Sequence, residues 1–557
     1  MIRILLLFLL TTTIAFAENQ FDCGEDLNGH TPADCVDTTT IPDLAGSPSC
    51  SGSSGDNSAN SQSTHYIFRD SVPTESLLEN TSYDHYWVCD TVAVTGDVAN
   101  INRDCSSEPA GYCSIAGYWD SYDKTQHPYW LADADRSYME RIEFDTGADS
   151  WRVRGMTLTG PGEGSGSSYV LMARSGASNI VANQNYFKTD GMIIAGVFAF
   201  HCRDSSTGNY FGYNYMEGTD LQRSAYDNAD TQGITLAPAC NDQHVHHNEI
   251  KDYTDGIQVN AGISTHTGSD ITIKYNHFYL DQNIASCAAG ENEPASEDDT
   301  CGCHENHIDI KRMGASGAGN HGVIAYNILE KSYPQAESVG SATTECGGTG
   351  GANGSVIELH YNASNVEVHN NIFMDYSNGI SSGNDGFDTQ FPDFSDVANN
   401  IFYQQRKRNQ AKSVASFGIN MNQMEDARIL GNSFVDPNSN IDDCLQMDFN
   451  QDVEGNFFDS DCNVSGSNTG NNEDNMYNTG AEQISGETDA HTGSVTLGQF
   501  CFFKHPITGA TQSDGSTQCT GCLDHRGDLQ CINAMPPTGW FGENDYTKVP
   551  NSAKGPQ

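Results

Sequence analysis

From about Trp151 to Asp461 one short pattern returns along the chain. An Asn has an apolar residue two positions after it and another three positions before it. The anchors are Asn185, Asn214, Asn248, Asn276, Asn327, Asn371, Asn400, Asn432 and Asn456. Position +2 holds Phe187, Met216, Ile250, Phe278, Leu329, Phe373, Phe402, Phe434 and Phe458. Position −3 holds Ala182, Phe211, Val245, Ile273, Ile324, Val368, Val397, Ile429 and Val453. The anchors are 29, 34, 28, 51, 44, 29, 32 and 24 residues apart. A variable period of this size, built from short alternating runs, predicts stacked β-coils that bury a shared apolar column. Asn tolerates left-handed backbone angles, so the Asn itself is expected to make the bend. A β-sandwich has no reason to repeat one Asn-x-apolar corner nine times.

A further strand follows most corners, as in 255–259, 307–311, 356–360, 418–421 and 445–449. Alternation places Ile257/Val259, Ile308/Ile310, Ile357/Leu359 and Leu445/Met447/Phe449 inside. The outward ladder is then Gln258 and Asn260, then His307, Asp309 and Lys311, then Glu358 and His360. Gln446, Asp448 and Asn450 continue it. Two long insertions, 283–304 and 332–354, interrupt the period on either side of His307. Loops of that length are a usual place for function, so the site is expected beside this ladder.

The ends read differently. Residues 1–17 combine Arg3, an apolar run from Ile4 to Leu10 and Ala15-Phe16-Ala17, the form of a secretory signal peptide. Residues 18–125 are rich in Ser, Thr, Asp and Gly with six Cys, and predict a disulfide-stapled, loop-rich N-terminal cover. Coils are expected over 126–461, and 462–557 reads as a Gly/Asn/Ser-rich linker with an irregular Cys-containing tail. All 18 Cys follow the signal segment, and export makes disulfides their default, although pairing is not legible. No membrane anchor is read after the leader.

Composition narrows the partners. With 26 Lys+Arg against 74 Asp+Glu, the net charge of −48 argues against nucleic acid, which needs a basic surface. Arg406, Lys407 and Arg408 form a local basic exception that would draw a polyanion. From 275 to 310 there are eight acidic residues and no Lys or Arg, which makes Ca²⁺ a candidate ion, with Glu305 and Asp309 as ligands. Cys301, Cys303 and His304, and Cys519 with Cys522, are zinc-ligand types that disulfide formation accounts for first. Tyr213, Tyr215, Tyr275 and Tyr326 sit next to corners, where packing within the coil is their first role and sugar stacking the second.

The densest chemistry lies in Cys301-Gly-Cys-His-Glu-Asn-His-Ile-Asp-Ile-Lys311. Proton abstraction next to a uronate carboxylate needs a base, a positive group for the developing charge and an acid for the leaving oxygen. Lys311, with Arg312 beside it, is the candidate base or charge stabiliser. His360, one coil on, is the second proton carrier, with His307 nearby. Gln258, Asn260 and Glu358 are placed to contact substrate, as are Arg406, Lys407 and Arg408.

Over roughly 130–461 the corners and strands resemble the right-handed parallel β-helix proteins of the pectate-lyase-like superfamily, an all-β solenoid fold. Ile-Asp-Ile-Lys311 is similar to the strand bearing the base in lyases of the chondroitinase-B and alginate-lyase type, which implies a base at Lys311 near carboxylate-bound Ca²⁺. Where that type has an assisting Arg, this chain has His360. The paired aspartates and Gly-His-Gly of polygalacturonases are matched poorly, by Asp298-Asp299 and Asn320-His321-Gly322. The resemblance implies a secreted polysaccharide-degrading enzyme, foremost a lyase cleaving an acidic, uronate-containing polymer by β-elimination. The alternatives are a non-catalytic extracellular adhesin or glycan-binding rod, and a glycoside hydrolase or epimerase on the same scaffold.

Overall fold

The computed structural model describes residues 49–493, apart from connecting stretches of which the longest are 119–127, 219–230, 260–269, 280–305, 314–321, 331–354, 384–394 and 404–416. It also describes the short hairpin Cys522–Leu523 and Leu529–Gln530. Asn260, Glu305, Arg406, Lys407 and Arg408, the leader, both long insertions and most of the C-terminal tail lie outside the described residues. So does the side chain of Arg312.

Each coil contributes one strand to each of three sheets. In one representative coil, Ile271–Lys274 joins the first sheet, His277–Tyr279 the second and Asn306–Met313 the third. The sheets hold 15, 13 and 12 strands, and neighbours within a sheet come from successive coils. Every pairing among them is parallel except that of Gly55–Asp56 with His65–Phe68. The protein is a parallel β-helix, as the corner pattern predicts. The residues read as inward in the third sheet, from Ile257 to Met447, are at most 2% exposed and belong to one continuous core.

The predicted Asn corners lie above one another, for a reason the pattern alone did not carry. Each Asn side chain is buried and takes part in a hydrogen-bonded ladder that runs through all nine anchors and on to Asn475. Its Oδ1 accepts the backbone N–H of the preceding anchor at 2.8–3.0 Å and that anchor's Nδ2–H at 3.0–3.1 Å. Its own Nδ2 donates to the carbonyl of the −3 residue one coil back, for example Asn327 to Ile273 and Asn400 to Val368. An amide side chain thus satisfies main-chain groups that the bend removes from the sheets.

The left-handed residue is not the Asn. It is the residue before it: Gln184, Tyr213, His247, Tyr275, Tyr326, Asn370, Asn399, Gly431 and Gly455 all have φ between 53° and 63°. Placing bulky side chains there costs on the order of 1–2 kcal/mol each, which the ladder on one side and ring stacking on the other offset. Inside, position +2 forms an aromatic column, Phe373–Phe402–Phe434–Phe458–Tyr477, with centroids 4.5–5.1 Å apart and rings within 12° of parallel.

The solenoid is also longer than its most regular sequence. His65–Phe68, His85–Cys89 and Cys113–Tyr118, expected in a loop-rich cover, are parallel strands of the first sheet that lead directly into Asp149–Arg154. Beyond Asp461, Asn472–Glu473, Met476–Asn478 and His491–Gly493 extend the first and second sheets. Asn475, with Tyr477 two positions on, repeats the corner where composition predicted a linker. Disulfides Cys50–Cys89, Cys105–Cys113, Cys202–Cys240 and Cys444–Cys462 pair all eight described core cysteines, in keeping with an oxidising compartment. Among the described residues no helix is long and apolar enough to cross a membrane.

Candidate functional site

The outward row of the third sheet is fixed by strand register. Thr235 stands opposite Gln258, Gln258 opposite Asp309, Asp309 opposite Glu358, and Glu358 opposite Ser381. Ile308 and Ile310 point into the core, so alternation turns Asp309 outward between them. Neighbouring side chains nonetheless enclose it, leaving it 1% exposed.

Three donors converge on the Asp309 carboxylate. Gln258 Nε2 lies 3.3 Å from Oδ2, and the same amide donates to Asp255 Oδ2 at 3.2 Å. Lys311 Nζ is 3.4 Å from Oδ2, and His360 Nε2 is 2.9 Å from Oδ1. Lys311 reaches this position at a β-bulge, because the pairing with the next strand slips one residue between Ile310 and Arg312. Bulges re-aim side chains in this way and are common beside active sites. The half-buried Glu358 accepts a hydrogen bond from Ser381 Oγ, which is itself bonded to Ser355 Oγ.

The charges shift one another. Burial lowers the pKa of His360, but the Asp309 hydrogen bond and the charges of Asp309 and Glu358 raise it further, so the net shift is upward despite Lys311. Burial raises that of Glu358, aided by the Asp309 charge and only partly opposed by Ser381, His360 and Ser355. An imidazole and a carboxyl, both of raised pKa, thus sit two residues apart on the strand Ile357–Ala363, a pairing suited to moving protons.

Gln258, Asp309, Lys311, Glu358 and His360 therefore come together. His307 does not. It shares parity with Asp309, yet it is only 2% exposed within the strand Asn306–Met313. Its Nε2–H donates to the Glu330 carbonyl at 2.7 Å and its ring lies 5.5 Å from that of Phe278. Alternation fails there because the N–H groups of His307 and Ile308 both donate to the Val356 carbonyl, a local irregularity in the pairing. The backbone of Arg312 pairs with Asn362 just beyond the bulge.

Sequence reasoning missed Asp255, Ser355 and Ser381. Asn378–Gly383 lacks long apolar residues apart from Ile380, so it did not read as a rung of the same ladder. Its spacing from the Asn371 corner was the available signal.

Calcium requires six to eight oxygen ligands. The described surroundings of Asp309 do not fit one, because its oxygens already face an amide, an ammonium and an imidazole. Glu305 and the acidic residues 281–299 lie outside the described residues. A second acidic group, Asp84 and Glu108 near Cys113, surrounds Arg103 Nη2 at 3.0 and 2.6 Å, with Cys113 tied to Cys105.

The tyrosines beside the corners pack against each other. Tyr213, His247, Tyr275 and Tyr326 stack face to face at 4.6–5.0 Å, so their faces are covered by one another.

A scan against family models and a comparison with curated proteins found no match. Among solved structures, the chain is similar to an alginate lyase from Paenibacillus sp. strain FPU-7, at 11% identity and a TM-score of 0.35 over 66% of this chain and 94% of that one. It is also similar to a mutant of a PL6 family alginate lyase, at 13% identity and a TM-score of 0.39, over 77% of this chain and 52% of that one. A third likeness is to the tailspike protein of E. coli bacteriophage HK620, in complex with a pentasaccharide. There the identity is 9% and the TM-score 0.34, over 77% of this chain and 70% of that one.

Proposed function

We propose that this protein is an extracellular polysaccharide lyase that lays an acidic, uronate-containing chain along the third sheet and cleaves it by β-elimination at the Asp309 cluster. The observation that carries this reading is the set of two basic side chains, Lys311 and His360, gathered over one buried carboxylate at a bulge, with Glu358 one rung away.

Elimination removes the proton on the carbon next to the uronate carboxylate, forms a carbon–carbon double bond and breaks the bond to the glycosidic oxygen. Lys311, ion-paired with Asp309, supplies positive charge opposite the substrate carboxylate, where negative charge builds in the transition state. Glu358 accepts the proton, since a carboxylate of raised pKa is a stronger base than an exposed one. Protonated His360 returns a proton to the departing oxygen. Asp309 and Gln258 hold these groups in place. The base role read for Lys311 thus passes to Glu358, and no step is drawn through calcium. The basic run Arg406, Lys407 and Arg408 remains a proposed contact for the polymer.

The test is digestion of alginate, polygalacturonate and chondroitin sulfate, followed through the ultraviolet absorbance of unsaturated uronates. Lyase action gives new absorbance that Glu358→Gln and His360→Asn each remove. Reducing ends without absorbance would replace the reading by hydrolysis. Binding to all three without cleavage would replace it by a glycan-binding rod, for which the internal neutralisation of Asp309 also provides.

A further inference from the structure

The two outward rows that carry the Asp309 cluster continue toward the N-terminus and change character there. One row runs Asn306, Asp255, Gln232, Phe198, Tyr169, and the other runs Asp309, Gln258, Thr235, His201, Met172. Rows that are polar for three coils thus end in an aromatic group. Phe198 faces outward and is only half-buried. Its ring lies 4.9 Å from that of His201, tilted by 33°, and Tyr169 meets His201 edge-on at 6.5 Å.

Tyr169 is held as a backing wall. Its hydroxyl donates to Glu143 Oε2 at 2.7 Å, and the Arg141 guanidinium lies 5.0 Å from its ring centroid. Burial pushes His201 down to about 4, so the ring beside Phe198 is uncharged at neutral pH. An uncharged aromatic surface with a fixed back and a partly open front, set at the end of a polar ladder, matches the apolar C–H face of a pyranose ring. From His201 to Asp309 is three strand spacings, about 14–15 Å at the usual ~4.8 Å each.

We infer that Phe198, backed by His201 and Tyr169, is a distal subsite that stacks on a sugar ring of the polymer held at the Asp309 cluster. This rests on the proposed polysaccharide reading, but not on catalysis. A chain anchored at Asp309 must be several sugars long to reach Phe198, so the subsite acts on long ligands only.

The test is calorimetric titration of wild-type, Phe198→Ala and Phe198→Trp protein with di- and hexasaccharides prepared from alginate and polygalacturonate. The expected result is that Phe198→Ala weakens hexasaccharide binding about 2- to 12-fold, the range of one aromatic contact. Disaccharide affinity should be unchanged and Phe198→Trp should keep wild-type affinity, which also shows that position 198 accepts substitution without loss of the fold. Equal weakening for both lengths, or no weakening, overturns the subsite, as does wild-type protein that binds neither length. A length-dependent loss without any unsaturated product supports the subsite and removes the lyase reading alone.

Discussion

Two outward faces of this solenoid carry polar ladders, and they are built to different ends. On the first sheet one row runs Asn183, Gly212, His246, Lys274, Ala325, His369 and Ala398. His246, Lys274 and His369 are 3–6% exposed. Small residues between them leave room for the rings: a Cβ on Gly212 would lie 2.4 Å from the His246 imidazole. Burial, with help from Lys274, pushes His369 down to about 3, and burial puts His246 well below its ordinary value. On the third sheet the charged groups meet opposite charges, Lys311 keeps a 36% exposed side chain, and His360 and Glu358 are raised. A polar ladder is therefore not a site by itself. Opposite charges gathered at a partly open bulge can do proton chemistry, whereas neutral rings packed into gaps fill space.

The two faces should differ most in activity. His360→Asn or Glu358→Gln should lower product formation by about 10²- to 10⁴-fold, the usual range for a positioned acid or base. His369→Gln on the first sheet should leave it unchanged, and initial rates on the cleaved polymer check both. Next in size, Asn327→Ala removes the acceptor of both the Asn276 N–H and its Nδ2–H inside the core. It should lower unfolding free energy by about 2–6 kcal/mol in denaturant titration, since two buried donors left unpaired cost ~1–3 kcal/mol each.

Acidity separates the faces by sign. His369 and His246 bind protons less readily folded than unfolded, so the stability they contribute is present above 6.5 and lost as pH falls below it, for His369 down to about 3. His360 binds protons more readily folded, so its contribution is present below 6.5 and lost as pH rises through its raised pKa. In melting curves across pH, His369→Gln should flatten the acid limb and His360→Asn the alkaline limb. The smallest effect is expected at a corner. Tyr275→Asn gives up stacking on His247 and Tyr326 but suits a φ of 59°, so stability should change by within about 1 kcal/mol.

The nine Asn corners, their apolar flanks at −3 and +2 and the inward pairs such as Ile308/Ile310 were legible because each is a relation between residues close in sequence. Period and alternation are local, and stacking repeats them. The same local logic put Asp309, Lys311, Glu358 and His360 on one ladder, and it erred at His307, where an irregular pairing breaks the alternation inside the strand. It also ended the solenoid at Asp461 and began it near 126. Asn475 stands in a polar stretch, and His65–Phe68 and His85–Cys89 lack an Asn corner, so neither end showed the repeat.

Tertiary structure decided what lies between coils. The left-handed angle falls on Tyr213 or Tyr275 rather than on the Asn because the Asn side chain is engaged by the coils above and below it. Ser381 reaches Glu358, and Gln258 reaches Asp309, across 23 and 51 residues of chain. Connections between coils differ in length, so sequence distance carries no register. Only the hydrogen bonds between stacked strands set which side chain stands beside which, and the pairing of charges at Asp309 follows from them.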